Sequence, residues 1–290
     1  MPGFFTISLC CGRLYYLISE INKKYLNYKM IGIFDSGIGG LTVVRSLMEH
    51  LPGYDIIYFG DTARTPYGSK SPETLIGYAL ENTEFLLNRG AKIIVMACNT
   101  TSSVAAESLV ERFDIPIFEV ITPAAEISIK TSRKLRIGVI GTRATIKSGI
   151  YEKKIKAMKP EAKVYSAACP LLVPLVEEGW LKKPETAMII KKYLHPLKVR
   201  QIDTLILGCT HYPLLKDKIQ KKIGKKVSVI DSSIAVSEKV KDFLENHTEI
   251  DNMLTKNGEF RLFVSDVTDQ FEKTARTTLK RNVLLEHVKI

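Results

Sequence analysis

Two stretches of this chain repeat one pattern. AKIIVMACNTTS (Ala91–Ser102) and DTLILGCTHYP (Asp203–Pro213) each carry an apolar run into a cysteine followed by small polar residues. An apolar run without polar alternation is what a strand covered on both faces looks like, and such strands belong to parallel sheets. The echo extends upstream, where RIGVIGTRAT (Arg136–Thr145) resembles KMIGIFDSGIGG (Lys29–Gly40). The strand starts are offset by about 106 residues and the cysteines by about 111, so the spacings nearly agree. Between the apolar runs lie amphipathic helix patterns such as LTVVRSLMEHL and PETLIGYALENTEFLLNRG, with further strands at DIIYFGD and 116–120. The expected fold class is therefore α/β: two similar doubly wound parallel-sheet lobes with pseudo-twofold symmetry, the active site lying in the cleft between them.

On this reading residues 30–122 plus 235–281 form the first lobe and 123–234 the second, with 282–290 a C-terminal tail. The first 29 residues look unlike the rest and are read as an N-terminal extension, because Met30 stands directly before the first clean strand. They have no basic segment ahead of their short apolar run, so they make a poor signal peptide. No stretch of about 18 apolar residues occurs, so no membrane span is expected. Five cysteines without CxxC spacing argue for free thiols in a reducing, cytoplasmic setting, and against a disulfide framework or zinc ribbon. Cys10 and Cys11, in the extension, are read as non-catalytic. The net charge of +11 comes mostly from lysines such as Lys153, Lys154, Lys221 and Lys222 on presumed helix faces. They are not interleaved with aromatics, and no nucleic-acid-binding motif is present, so solvated faces are expected and no specific nucleic acid partner.

Ligands of open parallel sheets sit beyond the carboxyl ends of the strands. Asp35, Asp61, Cys98, Thr142 and Cys209 all fall there, so facing lobes would bring Cys98 and Cys209 to opposite sides of one cleft. A thiol beside an imidazole, as in Cys209 and His211, could be a nucleophile with its base, half of a metal site, or packing. The second, equivalently placed cysteine favours a different use. Inverting a stereocentre takes one acid/base on each face of a carbon, one starting as thiolate and the other as thiol. A cysteine hydrolase would need only one thiol. An ordinary thiol, of pKa about 8.5, is only about 3% ionised at pH 7, so a helix N-terminus or electropositive neighbour is expected to favour the thiolate at each site. His211 is the candidate neighbour of Cys209, and Asp35 that of Cys98. DSGIGG (Asp35–Gly40) offers backbone amides at a helix start without matching a dinucleotide or P-loop pattern. GDTARTPYG (Gly60–Gly68) presents amides and a phenol, and Asn99, Thr100, Thr142 and Thr210 supply neutral donors suited to a small dicarboxylate amino acid.

At these residues the chain resembles the glutamate racemases of the aspartate/glutamate racemase superfamily. FDSGIGGLTV, YFGDTARTPYG, ACNTTSS, PLVEEG and LGCTHYPLL read like that family's signatures, in its order, between Met30 and about Arg281. The resemblance implies cofactor-independent interconversion of L- and D-glutamate, supplying D-glutamate for bacterial peptidoglycan, by a homodimer with no metal and no membrane association. It implies that Cys98 deprotonates D-glutamate and Cys209 L-glutamate, with Asp35 and His211 as their helpers. Ser36, Pro66, Tyr67, Gly68, Asn99, Thr100, Thr142 and Thr210 correspond to the substrate-binding set, together with Asp35, both thiols and His211. The family's catalytic glutamate lies in PLVEEG, where Glu177 is assigned ahead of Glu178. An aspartate racemase with the same chemistry, a cysteine hydrolase or lyase on this scaffold, and a two-lobed binding protein are the alternatives.

Overall fold

The computed structural model describes residues 29–289. The N-terminal extension apart from Lys29, including Cys10 and Cys11, lies outside the described residues, as does Ile290. In chain order the elements begin with β1 (Met30–Asp35), α1 (Leu41–His50), β2 (Ile56–Gly60), α2 (Pro72–Leu87), β3 (Ala91–Met96), α3 (Asn99–Arg112), β4 (Ile117–Glu119) and α4 (Ile121–Thr131). A second series follows: β5 (Arg136–Gly141), α5 (Arg143–Lys147), α6 (Ile150–Met158), β6 (Lys163–Ala168), α7 (Leu172–Glu177), α8 (Pro184–Val199), β7 (Thr204–Gly208), α9 (Lys216–Ile223) and β8 (Ser228–Asp231). The chain returns through α10 (Ser232–Asn246), α11 (Thr248–Asp251), β9 (Phe260–Val264), α12 (Asp269–Leu279) and β10 (Leu285–His287).

The strands form two wholly parallel sheets, ordered β10-β9-β2-β1-β3-β4 and β6-β5-β7-β8. Within each series the second strand lies beside the first, then the third, then the fourth, so β3 and β7 hold equivalent places. The expected two-lobed α/β architecture is what the chain adopts, and the repeat seen in the sequence corresponds to this shared strand order. β9 and β10 extend the first sheet past β2, so Leu285–His287, within the expected tail, belongs to a sheet.

The apolar runs are strands because both their faces are covered. Ile31 and Ile33 of β1 point into a core shared with α1, while Met30 and Phe34 point into a second core under α2 and α3. The shared core is continuous across the lobes: Val44 of α1, Ile121 of α4, Ile137 of β5, Ile206 of β7 and Val236 of α10 all belong to it. Each fully buried aliphatic side chain contributes about 1.5–3 kcal/mol of transfer free energy, so this seam holds the lobes against each other. Acids at equivalent strand ends start the helices that cross it. Glu119, ending β4, accepts the N–H groups of Ile121 and Thr122, and Asp231, ending β8, accepts that of Ser233 at 3.1 Å. Each satisfies donors that a helix N-terminus otherwise leaves unpaired.

Candidate active site

The carboxyl ends of the two sheets meet across a cavity of about 230 Å³. Cys98 follows β3 on one wall and Cys209 follows β7 on the other, each only 5% exposed. The glycines around them let the segments approach. A Cβ on Gly39 would overlap the Thr210 hydroxyl and lie 2.6 Å from His211 Nδ1. Gly39→Ala should therefore cost about 1–3 kcal/mol, the usual penalty for forced overpacking. Urea unfolding would report it, and an unchanged midpoint would mean the two loops can part freely.

Asp35 ends β1 fully buried, one layer behind the cavity wall. Its Oδ2 accepts the N–H groups of Gly37 at 3.1 Å and Gly40 at 2.9 Å, and Thr210 of the other lobe donates to Oδ1 at 3.2 Å. Burial raises its pKa above the ordinary carboxylate value, although the charge of His211 and these hydrogen bonds oppose the shift. Cys98 caps α3 and lies 3.9 Å from the Ser36 hydroxyl. Its place at a helix start was expected to favour the thiolate, and the balance runs the other way. Burial, then the nearby Asp35 charge, push the thiol up to about 12, and the polar groups of Thr101 at the helix start only partly offset them. Cys98 is thus held as a neutral thiol.

On the opposite wall the Cys209 sulfur lies 3.7 Å from His211 Nδ1, and His211 Nε2 lies 3.2 Å from Glu177 Oε1. Burial alone would favour the neutral ring, but Cys209 and Glu177 outweigh it through hydrogen bonds and charge, lifting His211 to about 10. Of the doubled acid, Glu177 meets His211, whereas Glu178 faces away into a groove with Arg45 and Lys216. Tyr212 is fully buried and donates to the Cys169 carbonyl at 3.0 Å, tying the Cys209–Pro213 turn to the loop that leads to Glu177.

Neutral donors complete the wall. The hydroxyls of Thr100 and Thr142 meet at 2.9 Å across the cleft, and Thr145 lies 3.0 Å from Thr142. Ser36, Pro66, Tyr67 and Gly68 line the side nearest the first sheet. Tyr67 is fixed by donating to Asp61 and accepting from Asn82 Nδ2 at 3.2 Å, and Asp61 is itself held by Arg64 Nε at 2.6 Å and the Ser265 hydroxyl at 3.0 Å. Asn99, Thr210 and His211 also face the cavity. All the sequence-derived site residues except Asp35 and the strand-end Asp61 therefore converge on one space. Thr65, Ser69, Arg143, Pro170, Val173 and Pro174 line it too and were not anticipated. A signal for the prolines exists: Cys169 follows β6 as Asp61 follows β2, so CPLLVP stands at a strand end equivalent to one already chosen. No cluster of three or more His, Cys, Asp or Glu able to hold a metal occurs among the described residues.

Comparison with known proteins adds sequence and structural relatives. Residues 39–240 match the pattern of the family described as Asp/Glu/Hydantoin racemase. A glutamate racemase of Syntrophus aciditrophicus is 44% identical over 263 residues, covering 91% of this chain and 97% of its own length. Among solved structures, a glutamate racemase isoform of Bacillus anthracis superposes with a TM-score of 0.85 at 37% identity, covering 90% of this chain and 98% of that one. The glutamate racemase of Francisella tularensis, solved in complex with D-glutamate, gives 0.83 at 39% identity, covering 91% and 98%.

Proposed function

Because this chain belongs to the Asp/Glu/Hydantoin racemase family, we propose that it interconverts L- and D-glutamate by proton transfer between Cys98, the α-carbon and Cys209. The observation that carries the reading is the pair of buried thiols, on equivalent strand ends, facing one cavity of about 230 Å³. That volume lies below the range of ~300–1,000 Å³ common for drug-sized ligands and suits a single amino acid. In the L-to-D direction Cys209, as thiolate, takes the α-proton and becomes a thiol. Cys98, as thiol, gives its proton to the opposite face and becomes the thiolate, and the reverse direction exchanges the two roles.

The environments support this division. Burial and Asp35 keep Cys98 in the donor form, while His211, held cationic by Cys209 and Glu177, is placed to hand protons to or from the opposite sulfur. Neutral hydroxyl and amide donors from both lobes can hold the substrate carboxylates. No step calls on a group other than the two thiols and their neighbours. D-Glutamate made this way would supply peptidoglycan synthesis, and we place the enzyme in the cytoplasm as a homodimer. Cys98, Cys169 and Cys209 are all unpaired, in keeping with a reducing compartment. Among the described residues no helix is long and apolar enough to cross a membrane.

Incubation of the protein with each enantiomer of glutamate and of aspartate in D2O, without added pyridoxal phosphate, tests the reading. Glutamate should lose optical activity and gain deuterium at the α-carbon. No exchange would sink the proposal, and faster exchange of aspartate would reassign the substrate.

A further inference from the structure

Tyr151, in the first turn of α6, touches the segments that carry both thiols. Its ring packs on Gly208, the residue before Cys209: a Cβ there would lie 3.1 Å from Tyr151 Cε2 and 2.8 Å from the Ile140 carbonyl. Its hydroxyl crosses to the first lobe and donates to Asn99 Oδ1 at 2.6 Å, and Asn99 is the residue after Cys98. Both side chains are buried, Tyr151 at 3% exposure and Asn99 at 1%. Asn99 lines the cavity, yet its Nδ2 has no hydrogen-bond partner. A buried amide left half-paired costs roughly 1–3 kcal/mol unless something completes it.

The orientation of that amide follows from the phenol. Burial, followed by the charges of Glu119 and Cys209, raises the Tyr151 hydroxyl well above its ordinary pKa, so it remains a donor. Asn99 Oδ1 is its acceptor, and turning the amide over would set an N–H donor against the phenolic proton. With Oδ1 turned to Tyr151, the buried and unpaired Nδ2 is the amide atom left for a further partner, which suits a carboxylate better than a cation.

We propose that Tyr151 is a positioning residue that aims the Asn99 amide at a substrate carboxylate while bracing the strand end before Cys209, so fixing the substrate's register between the two thiols. This inference rests on the amino-acid racemase reading above. It makes one tyrosine of the second lobe the gauge for both halves of the site, through contacts that touch neither sulfur.

Tyr151→Phe keeps the ring against Gly208 and removes only the hydroxyl. The KM for L- and D-glutamate should rise alike, by about tenfold, the order expected for one lost hydrogen bond to a charged group, while kcat changes by less than about threefold. In an Asn99→Ala background the same substitution should change KM by less than about twofold, because its effect runs through the amide. Unchanged KM in Tyr151→Phe, or an equal rise in the Asn99→Ala background, overturns the proposal. A measurement on the unaltered protein stands beside this one. The Asn99 side-chain NH2 resonance, assigned by its loss in Asn99→Ala, should shift when glutamate is added, and an unmoved resonance would also overturn the proposal. Absence of α-deuteration in the unaltered protein would instead remove the racemase reading itself, so the two failures are distinguishable.

Discussion

Cys98→Ser and Cys209→Ser should each lower racemisation of glutamate by about 10²–10⁴-fold, the range that a positioned acid or base contributes. Serine preserves the size of the side chain and its capacity for hydrogen bonds. Its hydroxyl is a far weaker acid than a thiol, so it neither accepts the α-proton nor leaves as an anion after donating one. In the proposed mechanism each stereochemical inversion uses both groups in series, one on each face. The two variants should therefore fail alike and in both directions, as circular dichroism of the reaction would record. Exchange in D2O sharpens the result: the surviving thiol can still take up and return a proton on its own face, so any residual deuteration should occur with retention. A variant that keeps full turnover refutes the two-base assignment. Loss in one variant alone would point instead to the single-thiol chemistry of a hydrolase or lyase.

The second large effect concerns His211. Its folded pKa of about 10 stands above the ordinary histidine value of about 6.5. For a group raised on folding, the stabilisation is complete below the unfolded value and is lost as pH rises through the folded one. The protein should accordingly lose stability between about pH 6.5 and about pH 10 as the ring surrenders its proton. Glu177→Gln removes one of the two partners that hold the ring cationic against burial. The alkaline loss should then be completed at lower pH, by roughly one unit, the low end of the range for an opposite charge in contact, since the Glu177 carboxylate is partly solvated. Urea midpoints measured from pH 6 to 10 would show the shift, and the alkaline limb of kcat/KM should move with it. Superimposable profiles for the two proteins would mean that Glu177 does not set the charge of His211.

Much of this site was readable before folding because it depends on a period and an ending. A buried parallel strand announces itself by an unbroken apolar run, and its carboxyl end is where side chains face a ligand, so Cys98 and Cys209 could be chosen from AKIIVMAC and LILGC alone. What stayed hidden depends on packing between distant segments. Glu177 and Glu178 are adjacent, and successive helical positions point about 100° apart, so only the arrival of His211 distinguishes them. The neutrality of Cys98 could not be inferred from its helix start, because burial and the Asp35 charge come from elements folded around it. Tyr151 looks like any aromatic of an amphipathic helix until α6 is laid against both Gly208 and Asn99.

The return of the chain to its first sheet has a consequence for how the protein is made. β5 to β8 are contiguous in the chain, so the second sheet can complete itself as soon as its last strand leaves the ribosome. The first sheet cannot, because β9 must come back past the whole second sheet to pair with β2. Until then Ile56–Gly60, an apolar strand destined for burial on both faces, is an open edge with its backbone donors and acceptors bare. Such edges invite pairing with other chains, and contacts this remote in sequence close slowly. The lobe synthesised first is thus the one finished last. During translation β2 waits for a neighbour strand encoded more than half the chain later, and this is the stage at which a nascent chain would most need shielding by a chaperone.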